Sequence, residues 1–147
     1  MDAAPELDAD EIICEARRES LAELLAFVDR ACARAGLDAN TTFDLRLATE
    51  EVVMNVIEHG YAGMTPGPIT LRIGRDAHQI VVTVEDDAPW FDPSSIRPAD
   101  PDAPLDRRSV GGLGWHFVTR LMDQTRHERR HPHGNRLTLV KRLPHQS

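Results

Sequence analysis

The strand-like segments of this sequence come in pairs, and this pairing is the strongest constraint on the fold. Residues 69–73 and 80–84 each place apolar side chains at every second position, and a short turn separates them. A second pair, residues 124–130 and 135–143, surrounds the turn Pro132-His133-Gly134. Strands joined by short turns run antiparallel, whereas parallel strands need a long crossover. The pattern therefore predicts an antiparallel or mixed sheet.

Three helical stretches accompany these hairpins. Apolar residues recur at helical spacing over residues 20–36 and 41–60, and a third stretch begins at Trp115. We expect Thr41 and Thr42 to cap the second helix. Helices and hairpins in this order predict an α+β fold, a two-layer α/β sandwich with a mixed, mostly antiparallel sheet and helices on one face.

The length of 147 residues fits one domain with a core of its own, so we take residues 1–147 as a single domain. Residues 1–11 are acidic and are expected to be frayed or to form a short edge element. Residues 88–110 contain five prolines and no periodicity, which is typical of a functional lid or a disordered segment. No membrane helix or secretory signal is visible, and we expect a cytoplasmic protein without membrane contact.

The charge balance excludes several classes of function. Acidic residues outnumber basic ones, 24 to 17, which argues against a nucleic-acid partner because phosphate backbones require a basic footprint. The charge is uneven, since residues 107–147 carry nine basic and two acidic residues. The single lysine, Lys141, is followed by Arg142 near the end of the sequence. A P-loop and a eukaryotic-type kinase signature are therefore excluded.

Glu51 and Asn55 lie one turn apart on the same face of the second predicted helix. A neutral amide oxygen near a carboxylate suits a Mg²⁺ site completed by phosphates, and the carboxylate could deprotonate a hydroxyl. An exposed polar face, continued by Glu58 and His59, explains the same spacing. On spacing alone the exposed face is the preferred interpretation.

Asp86 and a glycine cluster flank the predicted lid. Asp86 ends a strand and could accept a hydrogen bond from an exocyclic amine, or it could simply initiate a turn. Gly111-Gly112-Leu113-Gly114 precedes the third helix, where glycines let the backbone approach a phosphate and the helix offers free N–H groups. Arg107 and Arg108 add positive charge nearby. A flexible hinge is the alternative for the glycine cluster.

Three histidines, His127, His131 and His133, surround the final predicted turn. A surface metal site would need additional ligands at a defined spacing, and no acidic or cysteine ligand joins the three in that way. We therefore interpret them as exposed turn residues.

Taken in order, these features resemble the GHKL superfamily of ATP-binding domains. The matching stretches are residues 47–61 with Glu-x-x-x-Asn, residues 84–93 with the aspartate, residues 111–114 with Gly-x-Gly, and residues 134–139. Within that superfamily, the short chain is most similar to the bacterial anti-sigma factor serine kinases. The resemblance extends from about Ser20 onward, and the order of the motifs is far more specific than any one of them.

The resemblance implies roles for individual residues. Glu51 would be the general base, Asn55 the Mg²⁺ ligand and Asp86 the residue that reads the adenine amino group. The glycines of the lid would wrap the phosphates, and one of the two arginines would neutralise charge on the γ-phosphate. The full set of implied nucleotide-binding residues, besides Asp86, is Ala88, Arg107, Arg108, Gly111, Gly112 and Gly114.

The resemblance also implies an ATP- and Mg²⁺-dependent protein serine/threonine kinase that acts in partner switching as a homodimer. It would sequester a sigma factor or a comparable regulator in one state and phosphorylate a STAS-type anti-anti-sigma partner in another. Three residues depart from the family pattern: Ala88 replaces the usual glycine, which would cause strain if the backbone were left-handed, Trp90 replaces a smaller residue, and Trp115 replaces an aliphatic residue after the last glycine of the lid. Ala88 and Trp90 favour an alternative, a non-catalytic module that sequesters proteins with or without ATP. ATP hydrolysis within a larger assembly is a third interpretation.

Overall fold

The computed structural model describes residues 9–95 and 114–144, which form a sheet layer and a helix layer. The strands are β1 (Ala9–Glu15), β2 (Pro68–Arg75), β3 (Gln79–Asp86), β4 (Gln124–Arg129) and β5 (Asn135–Arg142). The helices are α1 (Leu21–Arg34), α2 (Ala39–Asn55) and α3 (Trp115–Leu121). No helix within the described residues is long and apolar enough to cross a membrane.

The described strands form one five-stranded sheet in the order β1-β2-β3-β5-β4. Both predicted hairpins are present, β2 with β3 and β4 with β5. Every pair within this sheet is antiparallel, so the α+β two-layer architecture is confirmed and the sheet is antiparallel throughout. β1 is an edge strand, and of the two expectations for residues 1–11 the edge element applies to residues 9–11.

The core lies between one face of the sheet and the helices. Alternate side chains of the central strands are buried because successive residues of a strand point to opposite faces. The helices contribute buried stripes that pack against this face, as the helical spacing predicts. The largest fully buried core side chains are Leu24, Val28, Leu45, Val53, Met54, Ile69, Leu71, Ile80, Val82, Val84, Val118 and Leu139.

The α2 helix begins at Ala39, before the predicted caps Thr41 and Thr42. Asp38 is the N-cap, and its carboxylate accepts a hydrogen bond from the Thr41 N–H at 2.7 Å. The prediction that Thr41 or Thr42 caps the helix is therefore wrong, and both lie in its first turns. An aspartate cap satisfies a free N–H and places a negative charge at the positive end of the helix. The same hydrogen bond holds the pKa of Asp38 below its ordinary value.

Tyr61 fastens the far end of α2 to the sheet. The helix widens into a π-helical turn over Val56–Gly60, directly after Asn55, and Tyr61 follows. The Tyr61 hydroxyl donates to the Pro68 carbonyl at 2.8 Å and accepts from the Asp87 N–H at 2.7 Å. Burial raises the pKa of Tyr61 to about 12. One side chain thus joins the end of α2 to the start of β2 and the end of β3.

Thr49 provides a test of the packing. It is fully buried on α2, and among the described residues its hydroxyl oxygen is the one side-chain polar atom that is both inaccessible to solvent and without a hydrogen-bond partner. Thr49→Val replaces that hydroxyl with a methyl group and keeps the β-branch, so we expect the free energy of unfolding to rise by about 1 kcal/mol. Urea denaturation followed by circular dichroism measures it. Thr49→Ser keeps the hydroxyl and loses the methyl group, and should be less stable than the parent. A Thr49→Val protein with a lower midpoint than the parent contradicts this account.

Candidate functional site

A pocket opens at one end of the sheet, between α2, the C-terminal parts of β3 and β4 and the N-terminal part of β5. Its walls are mostly apolar: Val52, Val56, Val84, Phe91, Pro93 and Leu137. Four polar side chains interrupt them, Asn55, Asp86, His127 and Asn135. An apolar cleft with a few placed polar groups is typical of small-molecule sites. The fold therefore brings Asn55 and Asp86, two of the predicted site residues, to one pocket.

Asp86 is the buried carboxylate of this pocket, only 3% exposed at the end of β3. Its Oδ1 accepts hydrogen bonds from the Ala88 N–H and the Asn135 side-chain amide, both at 2.9 Å. Oδ2 accepts no hydrogen bond from the part of the chain that the structure describes. Burial raises the pKa of Asp86, although the two hydrogen bonds oppose this effect. The pocket therefore contains an acceptor oxygen available to a ligand N–H group.

Asn135 holds Asp86 in place, a role that sequence reasoning missed. It is the first residue of β5 and lies directly opposite Asp86 in the strand register. Besides its bond to Asp86, the amide nitrogen donates to the Pro89 carbonyl at 3.1 Å, and the amide oxygen accepts from the Phe91 N–H at 3.3 Å. Its only sequence signal was a polar residue between a glycine and a strand. Asn135 thereby orders the segment that follows β3.

Gly134 makes this arrangement sterically feasible. Its φ is +110°, and a Cβ at this position would lie 2.3 Å from the Asp86 carbonyl oxygen, so a side chain has no room there. Arg130, on the other side of the turn, donates to the same carbonyl and to the Asp87 carboxylate, each at 2.8 Å. The β4–β5 turn therefore packs directly on the end of β3.

Two of the departures from the family pattern, Ala88 and Trp90, do not obstruct the pocket. Ala88 is fully buried, and within the described residues positive φ values occur only at glycines, so alanine causes no left-handed strain here. Trp90 is 42% exposed and does not line the pocket. Its indole stacks on the His127 imidazole with ring centroids 4.3 Å apart. The bulky side chain thus lies behind the pocket wall.

The interpretation of His127 as an exposed turn residue is wrong. It lies in β4, is half-buried and lines the pocket, and its Nε2 is 3.2 Å from the Asn135 Oδ1. The strand alternation of β4 turns this side chain toward the helix layer, whereas His131 and His133 are exposed in the turn as expected. Residues 9–95 and 114–144 contain no group of three His, Cys, Asp or Glu side chains that could hold a metal ion.

Glu51 and Asn55 do not form an exposed polar face. They are 5% and 7% exposed, respectively, and belong to the buried side of α2. The Glu51 Oε1 accepts a hydrogen bond from the Gly114 N–H at 2.7 Å. Gly114 precedes α3 with φ +82°, a backbone conformation that favours glycine. A buried carboxylate therefore lies against the backbone at the start of α3.

Asn55 presents its amide to the pocket. Its side chain makes no hydrogen bond to any of the described residues, although it is almost fully buried. The amide reaches the pocket without an internal partner there, and a largely buried amide in this state is costly unless a ligand or water satisfies it. Within residues 9–95 and 114–144 no cluster of metal-binding side chains adjoins this amide, and a single neutral oxygen donor suits a Mg²⁺ ion that takes its other ligands from phosphates and water. The residues present therefore fit a nucleotide-bound Mg²⁺.

The remaining predicted site residues, Arg107, Arg108, Gly111 and Gly112, lie outside the described residues. The same is true of most of the predicted lid, residues 88–110. Its described part runs from Ala88 to a short 3-10 helix, Pro93–Ser95.

The sequence of this chain is similar to those of known proteins. Residues 14–141 match the family described as the histidine kinase-like ATPase domain. Curated relatives named serine-protein kinase RsbW are 31% identical over 97 residues in Bacillus subtilis (strain 168) and 29% identical over 97 residues in Listeria monocytogenes serovar 1/2a. These matches cover 63% of this chain and 61% and 62% of the two relatives. The chain thus spans about three fifths of the length of the curated relatives it matches.

A crystal structure of the RsbU and RsbW domains of a Mycobacterium tuberculosis protein has the same fold. The TM-score is 0.66 at 20% sequence identity, over 95% of this chain and 33% of that chain. This likeness supports the two-layer architecture described above. The family match also confirms the resemblance that the motifs predict, and this chain belongs to the family of histidine kinase-like ATPase domains.

Proposed function

We propose that residues 1–147 form one ATP-binding domain that acts as a protein serine/threonine kinase of a partner-switching pathway. The observation that carries this proposal is the apolar pocket that holds Asp86 and Asn55, with Glu51 one helical turn away on the same helix. Relatives named serine-protein kinase RsbW support the choice of protein serine as the acceptor.

The pocket suits an adenine base. Its apolar walls would contact the faces of the ring, and the Asp86 Oδ2 would accept a hydrogen bond from the amino group. Guanine presents a carbonyl oxygen at the equivalent ring position, which would face the carboxylate oxygen without a proton between them. The pocket therefore favours ATP over GTP as the nucleotide.

Charge neutralisation would come from the opposite side of the pocket. Asn55 would bind Mg²⁺ through its amide oxygen, and the ion would supply positive charge next to the phosphates. Gly111, Gly112 and Gly114 would allow the backbone to approach the phosphates, and Arg107 or Arg108 would neutralise charge on the γ-phosphate.

Glu51 would act as the general base. Its buried carboxylate is oriented by the hydrogen bond from the Gly114 N–H, which places the base at the start of α3. In this role it would take the proton from the serine or threonine hydroxyl of the acceptor. Phosphoryl transfer depends mainly on positioning and charge stabilisation, and a fixed carboxylate suits that requirement.

For the biological setting, we propose a cytoplasmic homodimer with two protein partners. It would sequester a sigma factor or a comparable regulator, and it would phosphorylate a STAS-type anti-anti-sigma protein. The non-catalytic module remains the competing function, but Ala88 and Trp90, which favoured it, leave the pocket open. The experiments below separate the two.

Mg²⁺ should tighten ATP binding through Asn55. We expect the affinity of the parent protein to rise about tenfold or more when Mg²⁺ is added, and the Asn55→Ala variant to lose most of this gain, because one metal ligand is missing. Isothermal titration calorimetry with and without Mg²⁺ measures both. His59→Ala, an exposed change on the adjoining π-helical turn, is the matched control and should behave like the parent. An ATP affinity that is independent of Mg²⁺ would rule out Asn55 as a metal ligand.

Glu51→Gln should abolish phosphate transfer while ATP still binds. Loss of a general base costs about 100-fold or more in rate, so transfer from labelled ATP to a STAS-type acceptor should fall by at least that factor. Glu50→Gln, at the neighbouring and less buried position, is the matched control.

Three other outcomes of the transfer assay lead to different conclusions. Transfer that survives Glu51→Gln refutes the base assignment. ATP turnover without any protein acceptor indicates an ATPase of a larger assembly. A parent protein that neither binds ATP nor transfers phosphate leaves the sequestering module as the function.

Asp86→Asn should raise the stability of the protein at pH 7 and weaken its binding of ATP. Burial raises the pKa of Asp86 above its ordinary 3.8, so the stability that this carboxyl contributes is fully present below pH 3.8 and is lost as the pH rises through the raised pKa. Asparagine stays neutral and can still accept both Oδ1 hydrogen bonds. We therefore expect the variant to be more stable than the parent at pH 7, with the difference shrinking as the pH falls, and to bind ATP about tenfold or more weakly.

Thermal unfolding across this pH range and ATP titration at pH 7 measure the two effects. Asp87→Asn removes the neighbouring, more exposed carboxylate and should leave the ATP affinity unchanged. An Asp86→Asn variant with parental ATP affinity is incompatible with Asp86 as the adenine acceptor.

A further inference from the structure

A continuous chain of contacts runs from the protein surface to Asp86. The guanidinium carbon of Arg129 lies 4.9 Å from the centre of the Trp90 ring. Trp90 also stacks on His127, with an interplanar angle of 6°. His127 contacts Asn135 through Nε2 at 3.2 Å, and Asn135 donates to the Asp86 Oδ1 at 2.9 Å. Three members of this series of contacts, His127, Asn135 and Asp86, line the pocket.

The contacts of Asn135 determine which groups donate. Three acceptors surround one end of its amide: the Asp86 carboxylate and the carbonyls of Ala88 and Pro89. That end must therefore be the nitrogen. The oxygen end accepts from the Phe91 N–H, and a second hydrogen bond to an oxygen requires a donor. His127 must consequently carry a proton on Nε2 to make its contact with Asn135.

We propose that His127 is a positioning residue for the nucleobase, acting through Asn135. By donating from Nε2, it holds Asn135 in the orientation in which the amide nitrogen binds the Asp86 Oδ1. Oδ2 is then the carboxylate oxygen that remains for a ligand. This inference rests on the proposed function, because it assigns His127 to the adenine end of the proposed ATP site.

The stack determines the plane of the imidazole. Trp90 covers one face of His127, and Phe91 contacts the ring at an angle of 52°, with centroids 6.2 Å apart. Charged groups interact with each part of this assembly: Arg129 with Trp90, Asp92 with His127 and Asp86 with Asn135. Trp90, which departs from the family pattern, is therefore part of the device that orients the histidine.

Two substitutions separate positioning from packing. His127→Gln keeps an N–H donor near the position of Nε2 and loses the ring, whereas His127→Phe keeps the ring and loses the donor. If His127 acts by donating to Asn135, the Phe variant should bind ATP about tenfold more weakly and the Gln variant should stay within about twofold of the parent. If the histidine serves only to pack against Trp90, the order of the two variants is reversed, and the proposal is overturned.

A measurement without nucleotide keeps this test independent of the proposed function. In ¹H–¹⁵N spectra, the Ala88 backbone amide and the Asn135 side-chain amide report on the orientation of Asn135. Both resonances should shift in His127→Phe and stay near their parental positions in His127→Gln. Parental resonances in His127→Phe overturn the proposal, whether or not ATP binds.

The parent protein alone provides a further test, which applies even if a variant fails to fold. Long-range ¹H–¹⁵N correlations of the neutral imidazole should show His127 protonated at Nε2. A proton on Nδ1 instead overturns the proposal. If the parent shows the Nε2 proton and the resonance pattern above but binds no ATP, the proposed function fails while the positioning role of His127 stands.

Discussion

Asp86 and Asn135 lie opposite each other where β3 ends and β5 begins, and the hydrogen bond between their side chains is the contact on which the candidate site depends. It joins two strands that are 49 residues apart in the chain, counted between these two positions. Because the register pairs them directly, the buried carboxylate is fixed by the sheet itself. Gly134 leaves the space for this close approach, since any Cβ there would collide with the Asp86 carbonyl. The rest of the pocket is arranged around a carboxyl group whose position the fold determines and whose pKa its burial raises.

The local sequence pattern was sufficient to predict the helices and strands, but it did not predict which side chains contact each other in the site. Period-two and helical spacing predicted both hairpins and all three helices, because these signals depend on near neighbours. The cap of α2 was missed because two threonines competed with Asp38, and the aspartate offers the stronger acceptor. The roles of Asn135 and His127 depend on residues at least eight positions away, which no local spacing encodes. For Glu51 and Asn55, spacing alone favoured an exposed face, and only the order of the motifs indicated that both would be buried.

Ion pairs within the protein account for part of the uneven distribution of charge along the sequence. Several basic residues of the last third bind acidic groups near the end of β3: Arg130 pairs with Asp87, and Arg136 pairs with Glu85 at 2.7 Å. Lys141 lies 3.5 Å from Asp44 on α2. Such half-exposed pairs contribute little stability individually. These pairs help to position the β4–β5 turn, because Arg130 also donates to the Asp86 carbonyl and so joins this basic turn to the acidic end of β3.

The double hydrogen bond of Tyr61 has a consequence for how a ligand meets this pocket. One wall, which carries Asn55, continues into the turn that Tyr61 follows, and the other wall, which carries Asp86, continues into the N–H that Tyr61 binds. The Tyr61 phenol therefore ties the two walls to each other before any ligand arrives. A molecule entering between them finds a gap of predetermined width and loses little free energy in assembling it. The width of this half of the pocket therefore limits the size of the ring that can enter it.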